Sequence, residues 1–127
     1  MAEPPRLGWL QRLHDRRRRW AAPAGMGAVA IAIGSLTPGS QMPSNLPWDK
    51  FNHFVGYAGL AGLIGLAGLR LPLAFLAAVL YGIAIEYAQI PVPGRSGGDW
   101  ADILANTLGA AFATGLLAVF RRRLGLR

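Results

Sequence analysis

Ten polar residues at helical spacings carry most of the capacity for chemistry in this 127-residue chain. Asp49 and His53 stand four apart, with Lys50 beside them and Tyr57 one turn further, so Asp49, His53 and Tyr57 share one helical face. Glu86 and Gln89 stand three apart, and Asp99, Asp102 and Asn106, at i, i+3 and i+7, again share a face. The turn-rich stretch Pro91-Val92-Pro93-Gly94-Arg95-Ser96-Gly97-Gly98 joins the last two groups and could carry Arg95 across the mouth between them. Three chemistries fit. Arg95 and Lys50 would grip a phosphate, the guanidinium in a bidentate manner, while carboxylates orient amide or hydroxyl groups. Alternatively, His53 is a general base or metal ligand in a membrane hydrolase or transferase, with Asp49, Asp99 and Asp102 supplying carboxylates and Glu86 a further acid. Or the cluster is a buried network, pairing Arg95 with Glu86 or Asp99 and His53 with Asp102, that ties helix ends together.

Each residue also has a plain structural role. Asp49 and Asp99 suit helix caps, where a carboxylate meets free N–H groups and the positive end of the dipole. Asp102 prolongs an acidic first turn, Asn106 suits an interhelical hydrogen bond, and His53 suits an interfacial anchor. Glu86 differs, because a carboxylate inside an apolar run is costly unless paired or protonated and is a functional candidate by default. One histidine among carboxylates, with no His-Glu-x-x-His, is a weak metal signal, so no metal ligand and no cofactor is assigned. Interhelical polar contacts in membranes average about 0.6 kcal/mol, which is little reason by itself to gather so many costly groups.

The elements that position these groups are four apolar runs: Trp20 to Leu36, Phe51 to Leu69, the stretch between Arg70 and Arg95 with Glu86 as its one charge, and Ile103 to Phe120. Each falls within the roughly 17–25 residues that span a bilayer, and none has the polar stripe a soluble bundle needs. Thr37-Pro38-Gly39, Arg70-Leu71-Pro72 and Pro91-Val92-Pro93-Gly94 punctuate them, and the short Arg70 link predicts an antiparallel hairpin. The expected fold is all-α: a polytopic membrane protein, a compact bundle of four transmembrane helices. Residues 1–19 form a basic N-terminal segment, 20–120 the membrane domain and 121–127 a basic tail.

Basic residues set the orientation. Arg6, Arg12, Arg16 to Arg19, Arg70, Arg121 to Arg123 and Arg127 fall on one side of the runs, and Lys50 and Arg95 on the other. Both termini are therefore expected in the cytoplasm, with 37–50 and 91–102 facing outward. Flanks that orient helices and meet anionic lipid account for the net charge of +7 without a nucleic-acid partner. The first run is longer than a usual signal core and lacks a convincing cleavage site, so an uncleaved helix is expected. The absence of cysteine removes disulfides, thiol chemistry and thiolate metal sites. Residues Leu7 to Arg19 read either as an interfacial helix with Leu7, Trp9, Leu10 and Leu13 toward lipid or as a solvated topogenic tail. Ala58 with Gly62, Ala61 with Gly65, Gly109 with Ala113 and Ala111 with Gly115 are small-xxx-small pairs for close helix packing, which leaves little room for a wide pore.

Asp49-Lys50-x-x-His53-x-x-x-Tyr57, Glu86-x-x-Gln89 with Pro93-Gly94-Arg95-Ser96, and Asp99-x-x-Asp102-x-x-x-Asn106-x-x-Gly109 together resemble the VanZ-like family over about residues 20 to 120. The segment before Trp20 lies outside that resemblance. It implies a small integral protein of the bacterial cytoplasmic (inner) membrane, related to one associated with low-level resistance to teicoplanin, a glycopeptide acting on cell-wall precursors. It implies no defined biochemical activity. Membrane lipids are the expected partners, with a lipid-linked envelope precursor as the candidate ligand. The oligomeric state is left open.

Overall fold

The computed structural model describes residues 5–42 and 49–126, with side chains from Gly8 onward; residues 43–48, Arg127 and the side chains of Arg6 and Leu7 lie outside the described residues. Five α-helices account for most of the rest: α1 (Pro5–Asp15), α2 (Arg17–Leu36), α3 (Asp49–Leu66), α4 (Leu71–Ala88) and α5 (Trp100–Leu124). A 3-10 turn at Gly39–Gln41 follows α2, and no strand occurs among the described residues. The four apolar runs are therefore helices, and the segment before Trp20 is helical over Pro5–Asp15, its end tied to α2 by the Trp20 indole donating to the Leu13 carbonyl at 2.9 Å.

The boundaries follow from the punctuation. α4 opens with Pro72 in its first turn, where a missing N–H costs nothing. It ends at Ala88, because Pro91 and Pro93 bring no N–H and the chain turns at Gln89. α5 starts at its cap Asp99, whose carboxylate accepts the Ala101 N–H at 2.9 Å. It stops at left-handed Gly125, φ 65°, with Arg121 to Arg123 in the last turn, where the dipole favours cations.

Helices α2 to α5 alternate in direction. At one end Arg17 packs on Gly68, and the Gly65 carbonyl accepts both the Gly68 N–H at 3.2 Å and Arg121 Nη2 at 2.8 Å, closing the C-terminus of α3. Arg17, Arg70 and Arg121 to Arg123 thus gather there, while Lys50 and Arg95 sit at the opposite end. The packing is inverted relative to a water-soluble bundle. Ala61, Ala74, Ala78 and Ala110 are fully buried, and the largest fully buried side chain is Glu86. Val29, Ile33, Leu80, Leu104, Leu108, Phe112 and Leu116 face outward. α4 and α5 are long and apolar enough to cross a membrane.

Small residues make the approach possible. A Cβ on Gly109 would strike the Phe54 carbonyl and come within 3.1 Å of the Ala58 nitrogen, so α5 lies directly on the backbone of α3. Gly62 faces Ala113 across the same seam. Ala111 and Gly115 do not take part: both are exposed, because the contact face of α5 runs through Asp102, Asn106, Gly109 and Ala113 and leaves them on the far side. Replacing Gly109 with Val should force α3 and α5 apart and lower stability by about 1–3 kcal/mol or more; denaturation in detergent checks this, with Gly115→Val expected to be close to neutral.

Candidate functional site

The end of the bundle where α2 and α4 finish and α3 and α5 begin collects the polar residues. Asp49, Lys50 and His53 come from the first turns of α3, Asp99 and Asp102 from the start of α5, Asn106 one turn deeper, and Gln89 and Arg95 from the link between α4 and α5. The α3–α5 seam brings the first two groups face to face. Lys50 Nζ donates to Asp99 Oδ2 at 3.2 Å and to Asp102 Oδ1, and lies 3.9 Å from Asp49. The Asp102 hydrogen bond is the main reason the Lys50 ammonium is held above its usual range, with Asp99 adding to it against the opposing effect of burial. Asp99 shifts below the usual carboxylate range, first through the Ala101 N–H and then through Lys50.

His53 is fixed by its neighbours. Nδ1 lies 2.8 Å from the Asn106 amide oxygen and, with that oxygen as acceptor, carries the proton. Nε2 then lies between Asp49 Oδ2 at 3.6 Å and Asp102 Oδ2 at 3.7 Å. His53 does lie beside Asp102, as the network reading expects. The three donor atoms fall within 4.8 Å of one another, the arrangement among these residues that could hold a metal ion.

Arg95 behaves differently from expectation. It pairs with neither Glu86 nor Asp99; Nε donates to the Thr37 carbonyl at 2.9 Å and Nη2 to the Gly34 carbonyl. The reason is geometric: the end of α2 leaves carbonyls without intrahelical partners, and the link carries Arg95 over them, with the Gly39 N–H donating to the Pro93 carbonyl at 2.9 Å. Gln89 adds a third tie, donating to the Ser35 carbonyl at 2.8 Å. Glu86 holds the other side of the link, its Oε1 accepting the Asp99 N–H at 3.0 Å and its backbone carbonyl the Gly98 N–H at 3.1 Å. Tyr57 is buried in the core beside Tyr81 and Gly82.

Two adjoining cavities open at this end. The larger, about 250 Å³, has an apolar wall of Ala30 and Ile31 from α2 and a polar rim that includes Asp49, Asn52, His53, Gln89 and Arg95. The smaller, about 150 Å³, is lined by Asp49, His53, Gln89, Gly94, Arg95, Ser96 and Asp102. Of the ten candidates, Asp49, His53, Gln89, Arg95 and Asp102 line cavities; Lys50, Asp99 and Asn106 hold those residues in place; Glu86 and Tyr57 lie behind them. Sequence reasoning missed Asn52, which its i+3 spacing from Asp49 could have revealed, and the end of α2 at Gly34 and Ser35, which contributes backbone carbonyls that no side chain announces.

Because Arg95 satisfies α2 carbonyls, Arg95→Ala should lower stability by about 1–3 kcal/mol, the cost of leaving such groups unpaired, as read by thermal or denaturant unfolding. Arg95→Lys should recover only part of it, since one ammonium cannot reproduce the guanidinium fork.

A family model, VanZ/LLP1, matches residues 6–121 and so includes the basic segment before Trp20. No curated protein and no solved structure matches the chain. The family together with the two long apolar helices supports a membrane protein. With its match running from the first basic segment to the last turn of α5, the chain belongs to the VanZ/LLP1 family.

Proposed function

We propose that this is a four-span protein of the bacterial cytoplasmic membrane, with both termini in the cytoplasm, whose outward site binds the polar head of an envelope lipid or lipid-linked phosphate precursor. The observation that carries the reading is the larger cavity, which joins an apolar wall on α2 to a polar rim at the bundle's outer end. An amphiphile needs both surfaces in that order. The inverted packing supports all four helices meeting lipid: large apolar side chains point outward from α2 and α3 as well as from α4 and α5. The charge separation supports the orientation, since arginines gather at the end bearing the C-terminus.

The chemistry of binding differs from a simple pair of free cations. Lys50 is engaged by carboxylates, and its role is to hold Asp102 and Asp99. Arg95 uses two donors on α2 and keeps the rest of its five N–H groups for a phosphate oxygen. Asp49, more than half exposed, is placed to accept from hydroxyl or amide groups of a head group. Binding such a precursor would change its accessibility at the membrane surface, the route by which a member of this family would alter teicoplanin susceptibility. A second reading, a hydrolase or transferase, is favoured by His53 Nε2 facing two carboxylates. Turnover of a lipid phosphate that is lost in Asp102→Asn at matched folding separates it from binding alone.

Two measurements test the main reading. The chain has no native cysteine. A cysteine at Ser96 should therefore react with a membrane-impermeant maleimide in intact cells, and one at Gly125 only after permeabilisation; the reverse pattern would refute the orientation. Gly34 lines the cavity and has open space around the position of a Cβ. Native mass spectrometry should show a phospholipid or polyprenyl-phosphate adduct on the wild type that falls at least about tenfold in Gly34→Leu, whose side chain fills the apolar wall. Equal adducts on both, with unchanged melting, would count against the cavity as the binding site.

A further inference from the structure

We propose that Asp49, His53 and Asp102 form a binding site for a divalent transition-metal ion, with a Zn²⁺-type preference, through His53 Nε2 and one oxygen of each carboxylate. This inference goes beyond head-group binding and stands whether or not a lipid occupies the cavity.

The geometry points to coordination. Metal–ligand bonds of about 2.0–2.2 Å in a tetrahedral site put donor atoms about 3.3–3.6 Å apart, and Nε2 lies 3.6 Å from Asp49 Oδ2 and 3.7 Å from Asp102 Oδ2. These separations exceed a good hydrogen bond. All three donor atoms converge within 4.8 Å, from two different helices.

Three further observations make it more than a group of acids. His53 is held by Asn106, itself only 2% exposed, in the tautomer that frees Nε2, which is the kind of outer support that ligating histidines receive. The Asp102 side chain is 4% exposed, and while its Oδ1 is held by Lys50, its Oδ2 faces Nε2 at 3.7 Å with no hydrogen bond among the described residues. The third observation is charge: among the described residues Lys50 is the one Lys or Arg within 4 Å of the Asp49, Asp99 and Asp102 carboxylates, since Arg95, which lines the same cavity, donates to the α2 carbonyls instead of pairing with them. A bound dication would balance that excess. With one imidazole, two carboxylates and no thiolate, the donor set suits Zn²⁺ or Mn²⁺ and disfavours Cu⁺. The cavity of about 150 Å³ that all three residues line leaves room for a water or a phosphate oxygen in an open fourth position.

The test uses the full chain in detergent micelles, stripped with chelator and titrated with Zn²⁺ by calorimetry, with bound zinc counted by elemental analysis. The wild type should bind one Zn²⁺ per chain. Asp49→Asn, which alters a largely exposed carboxylate and should leave the melting temperature unchanged, should weaken binding at least about tenfold, and His53→Gln should do the same. Asp15→Asn, at the opposite end of the bundle, should bind as the wild type does. A wild type that takes up no stoichiometric zinc, or an Asp49→Asn variant that binds it equally well, would overturn the proposal. Lipid adducts followed on the metal-stripped protein report separately on the head-group site.

Discussion

The structure depends on the backbone contact between α3 and α5 at Gly109. No side chain separates the two helices there: a Cβ would collide with the Phe54 carbonyl. In a lipid environment apolar burial does not drive helices together, so close van der Waals approach and hydrogen bonds between helices must do it. This contact lies one turn below Asn106 and two below Asp102. Its closeness sets the distance at which His53 meets Asn106 and Lys50 meets Asp102, so a seam made of the smallest residue holds the polar end in register.

The same polar end is braced a second time by the link between α4 and α5. Glu86 pulls it down from one side through the N–H groups at its far end, and Arg95 and Gln89 fasten it to the end of α2 on the other. These side chains serve backbone groups rather than each other. The physical reason is that helix ends expose carbonyls and N–H groups that no neighbouring residue can satisfy, and in a low-dielectric setting an unpaired one is more costly than a charge held by backbone dipoles. The arrangement leaves the carboxylates of α3 and α5 to Lys50 and His53, and so concentrates negative charge at the cavity.

Bracing and site cannot be separated cleanly. Lys50, Asp99 and Asn106 orient the residues that line the cavities without lining them, while Arg95 and Gln89 both line them and hold α2. Loss of function at Arg95 therefore carries a component of altered packing, whereas Asp49, exposed and tied only loosely at 3.6–3.9 Å, reports on chemistry more directly.

Much was legible in the chain alone. Apolar length and proline or glycine punctuation gave four helices within a few residues of their ends; basic asymmetry gave the two ends of the bundle; i, i+4 and i, i+3 spacing put Asp49 with His53 and Asp99 with Asp102 on common faces. These are properties of one helix or one loop, and they follow from local geometry. What only the tertiary structure decided was partnership between elements. Arg95 went to α2 carbonyls instead of Glu86 or Asp99, Gly109 rather than Gly115 became the contact, and Tyr57 turned into the core while Asn52 reached the cavity. Backbone carbonyls have no letter in a sequence, and the rotation of one helix about its axis against another is fixed only when their surfaces pack.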